Sequence, residues 1–554
     1  MDGRGTIFTA RRVVTLDPAV PVAEAVAVGD GRILGVGSAE ELGSHWGAMP
    51  IDGRFADEVL LPGFVEAHSH SFEGAVWEWE YVGYFPRLGP DGVMRPGCRT
   101  FDELIAELRR LDAALDDPAE SLVVWGFDPI YFPGERLAAK HLDVVSETRP
   151  ICVMHASLHL LTVNTALMER EGFADGCDVE GVPADAGGRP IGELQEPAAM
   201  SLARIEMLAL MRAMNDRAAL RRFADMARLV GCTTVTELGG TRINSERDAE
   251  LWTSVAGEDG FPTRLVPLFN PARGFSGSAD EAATWVNELR TMSTDKVRFG
   301  VVKMVLDGSI QGFTARLNPP GYLPHPDGSP RGNGIWLITP EQFRDWFEAF
   351  HRAHVTVHTH VNGDEAVDLL LETVEGAVAQ HSWTDHRHTA QHSQLTTSAQ
   401  YRRMAALGMS ANIFSNHIYY WGDQHASTTV GPDRAARMDA CATADREGVR
   451  YSVHSDASVT PLGSLHTMWC AVNRVTATGK VLGPHERVSV ERALRAVTID
   501  AAHQLRMDHQ VGSIEAGKLA DFVVLADDPH DVDPMAIKDI EVRGTVVGGE
   551  VTTR

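Results

Sequence analysis

The chain has 554 residues, with 50 Lys and Arg against 76 Asp and Glu, 23 His and six Cys. That length exceeds a single small core and predicts two or three structural units, and 44% hydrophobic with 23% charged residues excludes a disordered chain. A formal net charge of −26 argues against nucleic acid or an anionic membrane as partner. No apolar run reaches the roughly 18–20 residues of a membrane span, and the opening MDGRGTIFTARRVVTLD lacks the apolar core of a signal peptide. Cysteines 98, 152, 177, 232, 441 and 470 are scattered with no CxxC pair, which predicts reduced thiols and a cytoplasmic protein.

Segments 6–14, 24–30 and 32–37 read as short strands between Asp-Pro and Gly-Asp-Gly turns. The far end repeats that style in ADFVVLADD and IEVRGTVVGGEV. Residues 1–57 plus 508–554 are therefore expected to form one small β-sandwich, with strands in separate sheets as the alternative. Next comes LPGFVEAHSH, residues 61–70. Strand side chains two apart share a face, so His68 and His70 project together from one strand end, about 7 Å apart along it. Residues 75–215, rich in aromatics, form a large insertion after this strand. They contain an amphipathic helix (FDELIAELRRLDAAL) and the strand-like PICVMHASLHLLTVN; a lid over the site and a structural subdomain are both open readings.

From Ala218 the rhythm alternates. Helical stretches such as LRRFADMARLV, EQFRDWFEAFHRA and SAQYRRMAALG separate the strands CTTVTELGG, TRLVPLFN, VRFGVVKMVLDG, VTVHTHVNG, HRHTAQHSQ, MSANIFSNH and VRYSVHSDA. With the first strand that makes eight, and alternation predicts parallel strands with crossover helices. The predicted fold class is α/β, a (β/α)8 TIM barrel over residues 58–507, with a doubly wound open sheet as second choice. No GxGxxG or P-loop follows any strand. In such a barrel the active groups lie at C-terminal strand ends, which here offer His68 and His70, Lys303, His358 and His360, His388 and His392, and Asp456. Imidazole and carboxylate are common ligands of divalent metals. An ordinary Lys303–Asp307 salt bridge is the alternative use of the lysine.

With LPGFVEAHSH, GRPIGELQE, VKMVLDGS, HTHVNGD, HTAQHSQ, HSDASV and VGSIEAGKLADFVVL, the chain resembles the amidohydrolase superfamily. The similarity is to its third family branch, which includes N-substituted formamide deformylases. The resemblance implies the barrel and the sandwich built from both termini. It also implies one or two divalent metals, with Zn²⁺ favoured, held by His68, His70, an N-carboxylated Lys303, His360, His392 and Asp456. Asp456 would also shuttle the proton. His358, His388 and His454 are left as neighbours, and Gln391 stands where the family commonly has glutamate.

The reaction so implied is metal-assisted hydrolysis of an amide, formamide or cyclic amide. Deamination, ester cleavage, decarboxylation and a non-catalytic regulatory role on the same fold are the alternatives. The stretch 415–423, read as an aromatic loop after the seventh strand, offers His417, Tyr420 and Trp421; with Trp77 and Trp125 it makes a candidate subsite for an apolar or aromatic small-molecule substrate. Simple packing of the insertion is the competing reading of these rings. His159 and Asn164 fall in the family's HxxxxN stretch and join the substrate-binding candidates. A homo-oligomer is a common state at this size.

Overall fold

The computed structural model describes residues 5–47, 49–132, 136–158, 160–325 and 328–553. The chain divides into two compact units, one of residues 1–70 with 227–554 and one of residues 71–226.

In the first unit both chain ends enter one seven-stranded sheet. Its order is Glu550–Thr553, Val542–Val547, Phe522–Leu525, Ile51–Pro62, Gly5–Val14, Val22–Gly29 and Arg32–Gly37. Alternate residues face opposite sides: Phe8, Val26 and Val28 enter one apolar cluster, whereas Ile7, Ala25 and Ala27 enter another. The N- and C-terminal parts meet where Leu60 pairs with Val524. Arg264 fixes the same seam, since its guanidinium donates to both carboxylate oxygens of Asp521 at 2.6 and 2.8 Å and both side chains are buried.

The strand Ile51–Pro62 passes through Gly63 into the first of eight core strands. These are β1 (Phe64–Glu66), β2 (Cys232–Glu237), β3 (Arg264–Pro267), β4 (Val301–Val305), β5 (Thr356–Val361), β6 (Thr389–His392), β7 (Ser410–Ile413) and β8 (Arg450–Val453). Gly63 is required because a Cβ there would collide with the Thr233 side chain as β1 lies down beside β2. All neighbouring pairs are parallel, in a three-stranded sheet β3-β2-β1 and a five-stranded sheet β4-β5-β6-β7-β8. Backbone bonds also link the two sheets. Lys303 N donates to Phe269 O at 2.8 Å, and past the other ends Asp456 N donates to His68 O at 3.0 Å and His70 N to Ala457 O at 2.6 Å.

Crossover helices carry the expected signals. Ser278 and Glu281 form a capping box on Ala279–Thr291, Thr339 caps Pro340–Arg352 with Pro340 in its first turn, and Ser398–Leu407 stops at Gly408 with φ +71°. One segment departs from the sequence reading. Residues 415–423 are not a loop, because Asn416–Gln424 is a helix, continued by a π-helical turn over His425–Thr429. His417, Tyr420 and Trp421 stand three and four apart and are buried on one face of it, a helical spacing.

In the second unit PICVMHASLHLLTVN splits into two antiparallel strands, Ile151–His155 and Leu160–Val163, with Cys152 opposite Val163. They join Leu122–Phe127, Glu193–Gln195 and Glu80–Tyr81 in one five-stranded sheet. Among the described residues no helix is long and apolar enough to cross a membrane.

Candidate metal centre

The backbone bonds between the exits of β1 and β8 set the site. They hold the HxH pair against Asp456, whose Oδ1 lies 3.3 Å from His68 Nε2 and 3.4 Å from His70 Nε2. Lys303, on β4, brings its Nζ to 3.5 Å from the same His68 nitrogen. The His392 ring, at the end of β6, lies 4.5 Å from the His68 ring and 4.4 Å from that of His360 on β5. The structure thus gathers all six residues singled out in the sequence. Two of them occupy left-handed backbone, with φ +70° at His392 and +52° at Asp456. That conformation costs a non-glycine residue roughly 1–2 kcal/mol and concentrates at functional sites.

Electrostatics distinguish the members. Burial, then the Lys303 charge, holds His68 far below the usual imidazole range. His360 falls to about 3 for the same two reasons. Burial pulls His70 down as well, but the Asp456 and Glu237 carboxylates overcome it and raise the group to about 9. Burial lowers Lys303 to about 7 against the opposing pull of Asp456 and Glu237. The salt bridge considered for Lys303 is absent among the described residues: Asp307 instead accepts backbone N–H bonds from Asn362, Gly363 and Arg316 at 2.9–3.0 Å. It braces the loop after β5.

Two further carboxylates escaped the sequence reading. Glu66 lies two residues before His68, is fully buried, and accepts from His68 N, Ser455 N and Ser455 Oγ. It thereby ties the HxH segment to the residue before Asp456. Glu237 terminates β2, accepts from Thr241 N at 3.0 Å and faces His70 Nδ1 at 3.6 Å. Its place at a strand's C-terminal end was a readable signal.

The three neighbouring histidines separate. His358 donates from Nε2 to Gln504 O and accepts at Nδ1 from the Gln391 amide. His388 lies away from this centre, bonded to His351 and to Val357 N. His454 does reach it, with Nε2 3.2 Å from His392 Nδ1. Donor atoms of His68, His70 and Asp456 lie within 4.8 Å of one another, as do those of His68, His392 and His454. Two imidazoles with a carboxylate are a chemically suitable donor set for a divalent cation, and the carboxylates that keep a proton on His70 would equally hold a cation.

The remaining candidates stand apart from this chemistry. Asn164 is consumed as a helix cap: its Oδ1 accepts from Ile151 N and Leu167 N and its Nδ2 donates to Ser146 O and Arg149 O. No polar position of that amide remains for a substrate, which corrects the expectation made for it. Trp125 is 1% exposed inside the apolar core of residues 71–226, its ring 5.2 Å from that of Trp77. His159 lies outside the described residues. His417 donates or accepts at Nδ1 with His425 Nε2, 2.9 Å away, and packs edge-on to Phe414, which stacks on His454. Tyr420 and Trp421 are buried on the helix that carries His417.

The sequence model of the amidohydrolase family matches residues 56–553. This chain belongs to that family. It is accordingly a metal-dependent hydrolase, and the family implies a divalent metal, which the donor set fits. Among curated proteins it is 26% identical to Protein LONG AFTER FAR-RED 3 of Arabidopsis thaliana, over 99% of this chain and 90% of that one. It is also 26% identical to an N-substituted formamide deformylase of Arthrobacter pascens, over 99% and 98%. Among solved structures an uncharacterized metal-dependent hydrolase from Pyrococcus horikoshii OT3 superposes with TM-score 0.71 at 17% identity, over 96% of this chain and 99% of that one. That last similarity establishes a shared fold.

Proposed function

We propose that this amidohydrolase-family member hydrolyses the C–N bond of a small amide or formamide carrying an apolar or aromatic group. The observation that carries the reading is Asp456 Oδ1 standing 3.3 and 3.4 Å from the facing nitrogens of His68 and His70. In this reading the eight parallel strands close into a barrel and the terminal sheet folds over as a sandwich beside it. His68, His70 and Asp456 hold one divalent cation, for which Zn²⁺ suits the donors. Lys303, His360 and His392 serve a second. The formamide deformylase of Arthrobacter pascens, similar over nearly the whole chain, supports the C–N assignment.

Lys303 would meet the cations as a carbamate. Burial that brings it near neutrality keeps free amine available, and that amine adds to CO₂ with loss of one proton, replacing a cationic group by an oxygen ligand. When bound, the divalent metal acidifies water and polarises a carbonyl. Asp456 then accepts the proton of the attacking water as its oxygen adds to the carbonyl carbon. The same carboxyl returns the proton to the nitrogen as the C–N bond breaks, with the bonding pair leaving on nitrogen. His417, Tyr420 and Trp421, on the helix after β7, are proposed to bound the substrate's apolar part.

The test joins metal analysis to a substrate panel. Protein purified without added metal should carry one to two equivalents of divalent metal, lost in His68→Ala, and should release amine and acid from aromatic formamides or amides. Metal-free wild type, or turnover confined to esters or to ammonia release from amino-purines, overturns the assignment.

A further inference from the structure

Beneath the candidate ligands lies a layer of uncharged polar side chains with no assigned role. Gln391, Asn412 and Ser452 sit side by side in register across β6, β7 and β8, all buried. The hydrogen bonds among the amides and imidazoles admit one consistent assignment of protons. Gln391 Oε1 can only accept, so His68 Nδ1, 2.6 Å away, carries a hydrogen and donates. Gln391 Nε2 can only donate, so His358 Nδ1 at 2.9 Å is bare and His358 Nε2–H donates to Gln504 O. Asn412 Nδ2 donates to Gln391 Oε1 at 2.9 Å and to Ala67 O at 3.3 Å, which fixes that amide's orientation. Asn412 Oδ1 then accepts from His454 Nδ1–H at 3.0 Å, and it shares the single Ser452 hydroxyl proton, 2.7 Å away, with Gln504 Oε1 at 2.9 Å. His454 Nε2 is left as an acceptor, and His392 Nδ1–H donates to it across 3.2 Å.

Two hydrogen-bonded chains therefore meet at one amide. In one, His68 Nδ1 and Asn412 Nδ2 both donate to Gln391 Oε1; in the other, His392 donates to His454 and His454 to Asn412 Oδ1. Each leaves the outer histidine with a bare Nε2, the form a metal ligand requires. We infer that Asn412 is the positioning residue that sets the proton-bearing nitrogen of both His68 and His392, through Gln391 and His454, and so presets two cation ligands at once. This rests on the reading above that the two histidines bind a divalent metal. It further makes His454 a relay rather than a ligand.

Asn412→Asp tests the first arm. An aspartate keeps an oxygen for Ser452 and His454 but turns an oxygen toward Gln391 Oε1. The Gln391 amide then turns over: its NH₂ faces the new carboxylate and His68 Nδ1, which forces the His68 proton onto Nε2, while its Oε1 faces His358, whose proton moves from Nε2 to Nδ1 at the cost of its bond to Gln504 O. His454→Gln and His454→Leu test the second: glutamine can accept from His392 and donate to Asn412 as the imidazole does, whereas leucine can do neither. The readouts are Zn²⁺ affinity, by competition with a chromophoric chelator on full-length metal-stripped protein, and the visible spectrum of the Co²⁺-loaded protein. Loss of such a supporting partner typically weakens metal binding about 10–100-fold.

That loss is expected for N412D, with an altered Co²⁺ spectrum, and for H454L. H454Q should stay close to wild type. N412D and H454Q change shape little, so the comparison survives if H454L fails to fold. Affinity unchanged in N412D, or H454Q as weak as a ligand deletion, overturns the inference while leaving a tightly metal-binding wild type. A wild type that binds neither ion sinks this inference together with the metal reading it rests on.

Discussion

Asp456 is the residue on which the proposed chemistry turns, and its surroundings say why. Its Oδ1 faces both nitrogens of the HxH pair, while Oδ2 lies 3.8 Å from His392 Nδ1. Burial favours the neutral acid, but a hydrogen bond from His70 and the surrounding positive charge outweigh it and hold the carboxyl below its ordinary value. It is therefore a carboxylate at neutral pH, ready to accept a proton. Asp456→Asn keeps the shape and the backbone bond to His68 O but cannot take up that proton. Turnover should fall by about 10²–10⁴, the usual yield of general acid–base catalysis, with the circular dichroism spectrum unchanged. A metal-loaded D456N enzyme retaining near wild-type kcat would remove Asp456 from proton transfer.

At the scale of elements, the terminal sheet is joined to the core strands by a charge pair as well as by apolar contact. Arg264, at the start of β3, and Asp521, just before Phe522–Leu525, have side chains at most 3% exposed, and Asp521 Oδ1 also accepts from Gly548 N at 2.8 Å. Removing one partner strands a buried charge, which typically costs about 3–5 kcal/mol. Asp521→Ala and Arg264→Met should each lower the thermal midpoint by several degrees. The double variant R264M/D521A should lose less than the sum of the two, as a coupled pair requires; strict additivity would show the contact to be incidental.

This seam leaves little trace in the sequence. Alternating apolar residues announced strands at both termini, but pairing across some 460 residues leaves no local signature: that both ends share one unit was an inference from style alone, and the meeting of Leu60 with Val524, beyond the expected boundary at residue 57, was not foreseen. The His, Lys and Asp residues were legible because period-two alternation and strand ends locate inward-facing ligands. Asn412 was not, and Gln391 stood out only through the family resemblance. An inward amide in a short strand looks like any polar residue until its partners are in place. Residues 415–423 were misread because aromatic content was weighed before spacing, although positions 417, 420 and 421 follow a helix.

Across the whole molecule, every candidate ligand belongs to residues 1–70 and 227–554, whereas residues 71–226 contribute none of the six. A bound ion stabilises only the structure that binds it, by about 2.7 kcal/mol when free metal stands at 100 times its dissociation constant. The exits of β1 and β8 are held by the two backbone bonds Asp456–His68 and His70–Ala457, and three of those four residues are candidate ligands whose carboxylate and imidazoles repack once the cation leaves. Chelation should therefore loosen this seam selectively. In hydrogen–deuterium exchange followed by mass spectrometry, peptides covering 64–70 and 450–458 should lose protection on chelation and regain it with added Zn²⁺. The strands Ile151–His155 and Leu160–Val163, paired within their own unit, should exchange at an unchanged rate. Equal loss of protection in both regions would mean that the metal supports the whole chain rather than one strand junction, and no change at 64–70 would place the ion elsewhere.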